Sequence, residues 1–424
     1  MGCSARTRGA TVPHARARSS RRGGALAGLP VSRATATAVP RMAFQPVVDL
    51  TTDDVVGFEA LARGPAGSPW ERPQDLFAQA RAEGRLRELD WGCRVAAVRD
   101  VLASTDGPPP WRLFLNAEAE VLGSTCPEEL LEDWLDASGG VDVVVDVTDR
   151  ALEEGPRRLL EAVEELRGLG CEIALDDVGP EAAGVALLPV IEPDIVKVDA
   201  ALLRAPQSPE AMACLRAVES HVARTGAQLV VERIETEQDR AEALALGARW
   251  GQGYLLGRPA PLDEASLSRA GGGLPHRPVR TAVPAVPAGR PVVVGADDVR
   301  ARLLRVAELA WSDAATSVLL LRVPDASLVS WRLSQLLHEL RAACGLSAVE
   351  VGRSAAPDAP SPRPVEGGSP ATLAVVLGPA VAHVVVATPR PDGRFDLVLS
   401  GEPAVAAQAA RAFFLPSTEQ PGGA

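Results

Sequence analysis

The stretch VDVVVDVTDRALEEGPRRLLEAVEELRGLGCEIALDD, residues 141–177, contains the unit that decides the fold. Two short runs rich in Val, Ile and Leu flank a segment in which apolar residues recur at spacings of three and four, as at Leu159, Val163 and Leu166. Such short runs are typical of strands buried on both faces, and the spacing between them indicates an amphipathic helix over Arg150–Leu169. A strand, a helix and a second strand in this order predict a βαβ unit with parallel strands.

The same alternation extends from residue 43 to residue 270 and contains eight apolar runs. This count and length predict an α/β fold of the TIM-like (β/α)8 type, with an irregular first strand because the first two runs form a hairpin-like pair. The remaining predicted helices are Pro73–Gly84, Leu86–Ala103, Pro127–Ala137, Ser208–Thr225 and Glu237–Leu246. The predicted strands are AFQPVVDL (43–50), VVGFEAL (55–61), WRLFLN (111–116), VDVVVDVTD (141–149), CEIALDD (171–177), DIVKVD (194–199), QLVVERIE (228–235) and RWGQGYLL (249–256).

Changes in composition divide the chain into five parts. Residues 1–42 contain arginines but no acidic residue and predict a disordered basic leader. The barrel domain is expected over 43–270, and the Pro- and Gly-rich residues 271–291 predict a linker. A smaller α/β domain of sensory or regulatory type is expected over 292–416, followed by a polar tail at 417–424.

The composition excludes several classes of function. A net charge of −12 argues against a general binder of DNA or of anionic membranes. There is no run of twenty uninterrupted apolar residues, so no membrane span is expected. The six cysteines form no C-x-x-C pair and predict neither a zinc site nor a disulfide framework, which favours a reducing, cytoplasmic location.

Polar or charged residues end most of the predicted strands. In a βα barrel these ends converge on one rim, where active sites are built. Carboxylates gathered there would repel one another unless cations filled the cluster, and oxygen ligands select hard cations such as Mg²⁺ or Mn²⁺. An adjacent pair of aspartates can bridge two ions for in-line attack on a phosphodiester. The residues of this cluster are Glu59, Asn116, Asp146, Asp176, Asp177 and Glu232.

Two of the strand-end residues are singletons in the composition. Lys197 is the only lysine among 43 basic residues, and Asn116 is the only asparagine. A position that keeps lysine in a chain that otherwise uses arginine suits a compact charge or a group that can lose a proton. A simpler explanation of the single lysine is that it is there by chance. A single acidic residue at a strand end, such as Asp149, is often only a helix N-cap.

The residues Phe58-Glu59-Ala60-Leu61-Ala62-Arg63 resemble the signature of the EAL domain, the cyclic di-GMP phosphodiesterase family. The resemblance runs from FQPVVDL at residue 44 through IALDD, DIVKVD and VVERIETE to QGYLLGRP, which ends at Pro259. It implies a barrel, two Mg²⁺ or Mn²⁺ ions, and hydrolysis of one phosphodiester of cyclic di-GMP to the linear dinucleotide pGpG. A homodimer through the barrel is also implied.

The resemblance also implies roles for individual residues. Lys197 matches the lysine that holds and polarises the attacking water, and Arg63 matches an arginine at the substrate phosphate. Glu235 and Gln252 match positions that support the catalytic loop and the substrate site, and Asp199 matches a further site carboxylate. The metal ligands would be the six cluster residues, namely Glu59, Asn116, Asp146, Asp176, Asp177 and Glu232.

Three departures from the family pattern leave two functions open. Asp146 stands where the family usually has glutamate, which withdraws the carboxylate by about 1.5 Å, one C–C bond. The loop 176–181 lacks the aromatic residue, the threonine and the second glycine of the family's Asp-Asp-Phe-Gly-Thr-Gly, and Arg233 replaces a glycine. The first hypothesis is a phosphodiesterase regulated by the C-terminal domain. The alternative is a catalytically degenerate domain that acts as a cyclic di-GMP receptor or binds a protein.

The C-terminal segment resembles the DICT sensory domain, mainly in LAVVLGPAVAHVVVATP and GRFDLVLSGEPAVAAQAARAFF. A generic α/β regulatory module is the alternative, and its ligand is unknown. The apolar patterns predict helices at 297–310, 328–343 and 403–414, and strands at 317–322, 372–377, 380–387 and 395–399.

Overall fold

The structure is a computed structural model. It describes residues 40–138, 140–152, 155–179, 182–204, 208–271, 290–312, 317–344, 346–351, 371–379 and 381–415. The predicted tail and almost all of the predicted leader and linker therefore lie outside the described residues. Within the described residues, no helix is both long and apolar enough to cross a membrane.

Eight strands form a closed barrel in sequence order. The first strand runs antiparallel to both of its neighbours, and all other neighbouring strands are parallel. The predicted TIM-like barrel with an irregular first strand is confirmed. The strands are β1 (Arg41–Asp49), β2 (Val55–Arg63), β3 (Arg112–Asn116), β4 (Asp142–Val147), β5 (Glu172–Val178), β6 (Ile195–Asp199), β7 (Gln228–Glu232) and β8 (Trp250–Gly251).

The eighth strand is shorter than the sequence predicts. The pattern at 249–256 predicts eight residues, whereas β8 has two. The chain leaves the sheet at Gly253, whose φ is +154° and whose hypothetical Cβ would lie 2.2 Å from the carbonyl oxygen of Ile234. Only glycine fits at this position, because any side chain would clash. The apolar residues that follow, 254–256, form a turn and do not continue the strand.

Helices surround the barrel; one predicted helix is divided, and the helices Ala182–Ile191, Ala200–Leu203 and Glu264–Ser268 were not predicted. The predicted helix Arg150–Leu169 is divided into a 3₁₀ turn and a helix that begins at Pro156, because Gly155 has a φ of +104° and proline favours the first helical turn. The helix Ala182–Ile191 was not predicted, since its residues are almost uniformly apolar and give no helical period. The helices are α1 (Pro73–Ala82), α2 (Leu86–Ser104), α3 (Glu128–Ser138), α4 (Pro156–Gly168), α5 (Ala182–Ile191), α6 (Ala200–Leu203), α7 (Pro209–Thr225), α8 (Glu237–Ala245) and α9 (Glu264–Ser268).

A smaller α/β unit follows the barrel. Its six-stranded sheet has the order β11-β10-β12-β13-β14-β9, with β10 and β11 parallel and the other pairs antiparallel. The two strands that the sequence analysis missed, β9 and β11, are the two half-exposed edge strands. The elements are β9 (Val292–Val294), α10 (Ala296–Trp311), β10 (Val318–Val323), α11 (Trp331–Ala343), β11 (Leu346–Val351), β12 (Thr372–Leu377), β13 (Ala382–Pro389), β14 (Phe395–Ser400) and α12 (Pro403–Phe414).

The two faces of this sheet pack against different partners. Helices α10 and α11 cover one face with residues such as Leu303 and Leu340. The other face packs against α12 and against barrel residues of α4 and α5, namely Leu160, Ala186 and Val190. The smaller domain therefore shares a continuous apolar core with the two barrel helices that flank β5.

Candidate active site at the carboxyl ends of the barrel strands

Alternation along the strands places the candidate residues. An apolar layer fills the barrel interior, and it includes Phe114, Val144, Ala174, Ile195 and Val230. Side chains two residues apart on a strand face the same side. The residues two positions further along the chain, toward the carboxyl ends of the strands, therefore lie above this layer. They are Asn116, Asp146, Asp176, Lys197 and Glu232.

Lys197 lies at the centre of the cluster and is fully buried. Its Nζ atom is 2.8 Å from Oε1 of Glu232, 3.0 Å from Oδ2 of Asp146 and 3.2 Å from Oδ1 of Asp176. A fourth carboxylate, that of Glu59, lies 3.8 Å away. One ammonium group is thus surrounded by four carboxylates, so the surplus charge around it is negative.

The surroundings shift the pKa values of these groups. Burial alone would lower the pKa of Lys197, but the surrounding carboxylates, Asp146 first, raise it well above its usual value. Burial raises the pKa of Asp146 well above its usual range, and the charge of Lys197 only partly opposes this. Burial likewise raises the pKa of Glu232, and the neighbouring Asp176 adds to it. Lys197 therefore holds its proton, while the buried carboxylates need a further cation to stay ionised.

Glu59 is held from both sides by amide groups. The Nδ2 atom of Asn116 donates a hydrogen bond of 2.8 Å to Oε1 of Glu59, and Nε2 of Gln252 donates one of 2.7 Å to Oε2. The carboxylate of Glu59 is therefore fixed at the rim, next to Lys197.

The adjacent aspartates lie where the sheet is irregular. The pairing of β5 with β6 shifts between Leu175 and Val178, so Asp176 and Asp177 occupy a bulge. Asp177 has a φ of +52°, in the left-handed region that is strained for residues other than glycine. Asp176 and Asp177 each have a carboxylate oxygen within 4.8 Å of the other's and of one of Glu232.

Arg233 introduces a cation on the exposed side of the rim. It follows Glu232 directly and also has a left-handed backbone, with a φ of +55°. Its guanidinium group forms an ion pair with Asp199, and its Nη2 atom lies 3.7 Å from Oδ1 of Asp177. Burial raises the pKa of Asp177, the charge of Asp176 raises it further, and Arg233 opposes both effects.

The structure does not bring every candidate residue into this cluster. Arg63 ends β2, and its Nη1 atom donates a hydrogen bond of 2.8 Å to the carbonyl oxygen of Ala62. The side chain of Glu235 is exposed. Asp199 caps the short helix α6 by accepting a hydrogen bond of 2.8 Å from the backbone N–H of Ala201. The last two residues of the altered loop, 180 and 181, lie outside the described residues.

Sequence reasoning missed the residue that holds the loop after β7. Oδ2 of Asp239 accepts hydrogen bonds from the backbone N–H groups of Glu235, at 3.0 Å, and Thr236, at 2.9 Å. Its Oδ1 atom accepts one of 2.8 Å from Nε of Arg204. The hydrogen bond from Arg204 is the main reason that the pKa of Asp239 is far below its usual value. The spacing Thr-x-x-Asp is that of a capping box and could have identified it.

The donor set fits divalent cations. The close grouping of Asp176, Asp177 and Glu232 offers three hard oxygen ligands. Among the described residues, Oδ1 of Asp146 and Oε1 of Gln252 are buried at the same rim without a hydrogen-bond partner. Buried oxygen atoms normally have partners, and a bound cation would provide one.

Comparisons with known proteins identify the family. The sequence model of the EAL domain matches residues 31–259. A probable cyclic di-GMP phosphodiesterase of Escherichia coli K12, PdeB, is 25% identical over 228 residues, which cover 52% of this chain and 43% of that protein. The cyclic di-GMP phosphodiesterase RocR of Pseudomonas aeruginosa is 29% identical over 227 residues, covering 51% and 57%.

The chain thus spans about half the length of these two relatives. Among solved structures, a manganese and cyclic di-GMP complex of Klebsiella pneumoniae BlrP1 is 27% identical, with a TM-score of 0.46 and coverage of 53% of this chain and 57% of that one. Because the family match covers more than half of the sequence, the chain belongs to the EAL domain family.

Proposed function

We propose that this protein hydrolyses one phosphodiester bond of cyclic di-GMP to give pGpG, with two divalent cations, Mg²⁺ or Mn²⁺, as cofactors. The observation that carries the proposal is the buried Lys197, which lies among four carboxylates at the barrel rim beside the adjacent aspartates. The relatives that bear the name cyclic di-GMP phosphodiesterase support the choice of substrate.

The cations would be held by the six oxygen-bearing residues of the rim. When bound, they supply positive charge for a phosphodiester and lower the pKa of a water molecule. The hydrogen bonds from Asn116 and Gln252 keep Glu59 in place for such a role. In this proposal the ligands are Glu59, Asn116, Asp146, Asp176, Asp177 and Glu232.

Lys197 would orient the attacking water rather than deprotonate it. Its raised pKa keeps it protonated near neutral pH, so it donates hydrogen bonds and accepts none. A compact ammonium group fits among carboxylates 2.8–3.2 Å away, where a planar guanidinium group would not. Lys197 therefore both balances the carboxylates and fixes a donor at the reaction centre.

The substrate would be held by residues around this centre. Arg63 at the end of β2 would contact a substrate phosphate, since a guanidinium group matches phosphate oxygens in pairs. Gln252 and Asp199 would line the substrate site. Glu235 would support the loop after β7, where its backbone N–H is already bonded to Asp239.

A receptor without hydrolytic activity is the second candidate. The contact of Arg233 with Asp177 and Asp199 favours it, because it places a protein cation beside a proposed metal ligand. Purified full-length protein incubated with cyclic di-GMP and either Mg²⁺ or Mn²⁺ separates the two candidates. We expect pGpG to form and a chelator to stop it. Ligand binding without turnover in either metal would refute the enzyme and support the receptor.

We also propose that the C-terminal domain regulates the barrel. Arg411 of α12 donates hydrogen bonds of 2.7 Å to the carbonyl oxygens of Val190 and Ile191, at the carboxyl end of α5. Helix α5 follows the bulge that contains Asp176 and Asp177. A ligand that shifts α12 would therefore act on the helix that follows these aspartates in the chain. The chemical identity of that ligand does not follow from the fold.

The cellular location and the oligomeric state of the protein are proposed as well. We propose a cytoplasmic protein, which is supported by the wide spacing of the six cysteines in the sequence, since they form no C-x-x-C pair and predict no disulfide framework. A homodimer through the barrel is the proposed assembly. Light scattering coupled to size-exclusion chromatography would test it, and a monomer at micromolar concentration would refute it.

A further inference from the structure

Arg233 lies where a cation bound by Asp177 would compete with it. The guanidinium group touches two carboxylates from different strands, Asp177 in the bulge of β5 and Asp199 at the end of β6. Asp177 is also one of the three residues whose oxygens lie close enough together to hold a metal ion. One oxygen of this carboxylate, Oδ1 of Asp177, is 3.7 Å from Nη2 of Arg233.

The backbone contributes to this placement. Arg233 and Asp177 both have a positive φ, at +55° and +52°. Arginine has no intrinsic preference for this region, in contrast to glycine. The residue directly after Glu232 therefore combines a left-handed backbone with a long cationic side chain, which extends over the rim to Asp177 and Asp199 while most of it remains exposed.

From these contacts we infer that Arg233 is an internal counter-ion that competes with a divalent cation for Asp177. The inference rests on the proposed metal site and adds a residue that sets the strength of binding there. A cation beside Asp177 has to displace the guanidinium group or bind close to a like charge. This chain therefore binds the cation more weakly than its carboxylates alone would allow.

A cation bound at Asp177 would break only one of the two ion pairs of Arg233. The ion pair with Asp199 is the closer contact, and the side chain of Arg233 is 66% exposed, so it has room to move. When a cation binds Asp177, Arg233 keeps Asp199 as its partner. The competition is therefore local to Asp177 and disappears if this carboxylate is removed.

Direct measurement of Mn²⁺ binding tests the inference without substrate or turnover. Titration of the full-length protein, followed by the electron paramagnetic resonance signal of free Mn²⁺, gives affinity and stoichiometry. We expect Arg233→Ala to bind Mn²⁺ about tenfold more tightly than wild type, a gain of about 1.4 kcal/mol. Arg249→Ala is the matched control, because Arg249 is similarly exposed and pairs with Asp49 away from the carboxyl-end rim. Its affinity should equal that of wild type.

A double-mutant cycle with Asp177→Asn shows whether the effect passes through Asp177. Arg233→Ala should change the affinity little in the Asp177→Asn background. An equal tenfold gain there would overturn the inference, as would an Arg233→Ala affinity equal to that of wild type. If neither wild type nor Arg233→Ala binds Mn²⁺, both the inference and the proposed metal site fail. Thermal unfolding followed by circular dichroism would verify that each variant is folded.

Discussion

The barrel rim has a buried half and an exposed half, which differ in how the backbone positions their charged residues. The buried half consists of Glu59, Asp146 and Lys197, each less than a tenth exposed. The exposed half consists of Asp177, Asp199 and Arg233. Regular strands position the buried half, whereas a bulge and two left-handed residues shape the exposed half. The charges of the buried half therefore interact strongly on regular strands, and water screens those of the exposed half.

The energies differ accordingly. Charges in a protein interior interact strongly, and removing one member of a buried pair costs about 3–5 kcal/mol. Exposed ion pairs contribute about 0–1 kcal/mol. Substitutions in the buried half should therefore disturb folding and activity together, and substitutions in the exposed half should mainly tune binding.

The largest effect is expected for Lys197→Met. The change leaves Asp146, Asp176 and Glu232 without their shared cation, so the free energy of unfolding should fall by about 3–5 kcal/mol. Turnover of cyclic di-GMP should be lost. Urea unfolding with and without Mn²⁺ measures the effect, and Mn²⁺ should stabilise the variant more than wild type. Equal stability of the two proteins would show that the buried half does not depend on Lys197.

The next effect concerns Asp239, which holds the loop at the border of the two halves. Loss of its hydrogen bonds in Asp239→Ala should lower the free energy of unfolding by about 2 kcal/mol at pH 7. The pKa of Asp239 is lowered in the fold, chiefly by Arg204, so this contribution is present above its ordinary pKa and is lost as the pH falls.

Unfolding curves of wild type and Asp239→Ala at several pH values measure this. The difference in stability should shrink as the pH falls below about 4, where the carboxyl group in the unfolded chain becomes protonated. Asp239→Asn, which keeps one acceptor oxygen, should lie between the two proteins. A difference that grows toward acidic pH would contradict the assignment.

A change of intermediate size is expected for Asp146→Glu, in the buried half. The longer side chain matches the residue implied by the family resemblance and extends the carboxylate toward the proposed metal site, and displacements near 1 Å can change rates by ~10²-fold. We expect turnover to rise up to about tenfold, at a cost in stability of about 1–3 kcal/mol from overpacking. The rate of pGpG formation at saturating Mn²⁺ measures the change in turnover. A lower rate would show that carboxylate reach does not limit turnover.

Arg411→Ala tests whether the exposed half responds to the C-terminal domain. The carbonyl oxygen of Val190 loses the hydrogen bond from Arg411, whereas that of Ile191 keeps one from Arg167. Stability should therefore fall by about 1 kcal/mol, and turnover should change a few-fold. Arg394→Ala is the matched control in the same domain, since Arg394 pairs with Asp392 on the surface. Identical turnover in wild type and both variants would refute regulation through α5.

The smallest effect is expected for Arg233→Gly, in the exposed half. Glycine adopts the left-handed conformation without strain, so the fold should gain about 0.5–1 kcal/mol. Arg233→Ala removes the same guanidinium group but keeps the strain, and it should gain nothing. Thermal unfolding of the two variants separates the backbone effect from the charge. Equal stability of both variants would show that no strain is stored at this position.

Period-two alternation explains why much of the site could be predicted from sequence. Asn116, Asp146 and Lys197 follow apolar strand residues, and their convergence on one rim depends only on the barrel and on side-chain direction. The contact of Arg233 with Asp177 and Asp199 could not be predicted, because it depends on a bulge and on two positive φ angles that no local pattern encodes.

The packing of the smaller domain against α5 could not be predicted from the sequence either. Helix α5 gave no helical period because it is apolar on nearly all sides, and the structure shows why: residues such as Ala186 and Val190 are buried against the second sheet and α12. A helix covered on both sides needs no polar face. The position of α5 therefore depends on long-range packing, which the pattern of a single sequence does not reveal.

The carboxyl ends of the barrel strands are proposed to build a site for divalent cations. Anomalous scattering from a crystal of the full-length protein grown with Mn²⁺ tests it most directly. We expect a manganese peak bounded by carboxylate oxygens of Asp176, Asp177 and Glu232, with Lys197 still in contact with Asp146. A well-ordered rim without a peak there, or with manganese bound only elsewhere, would contradict it.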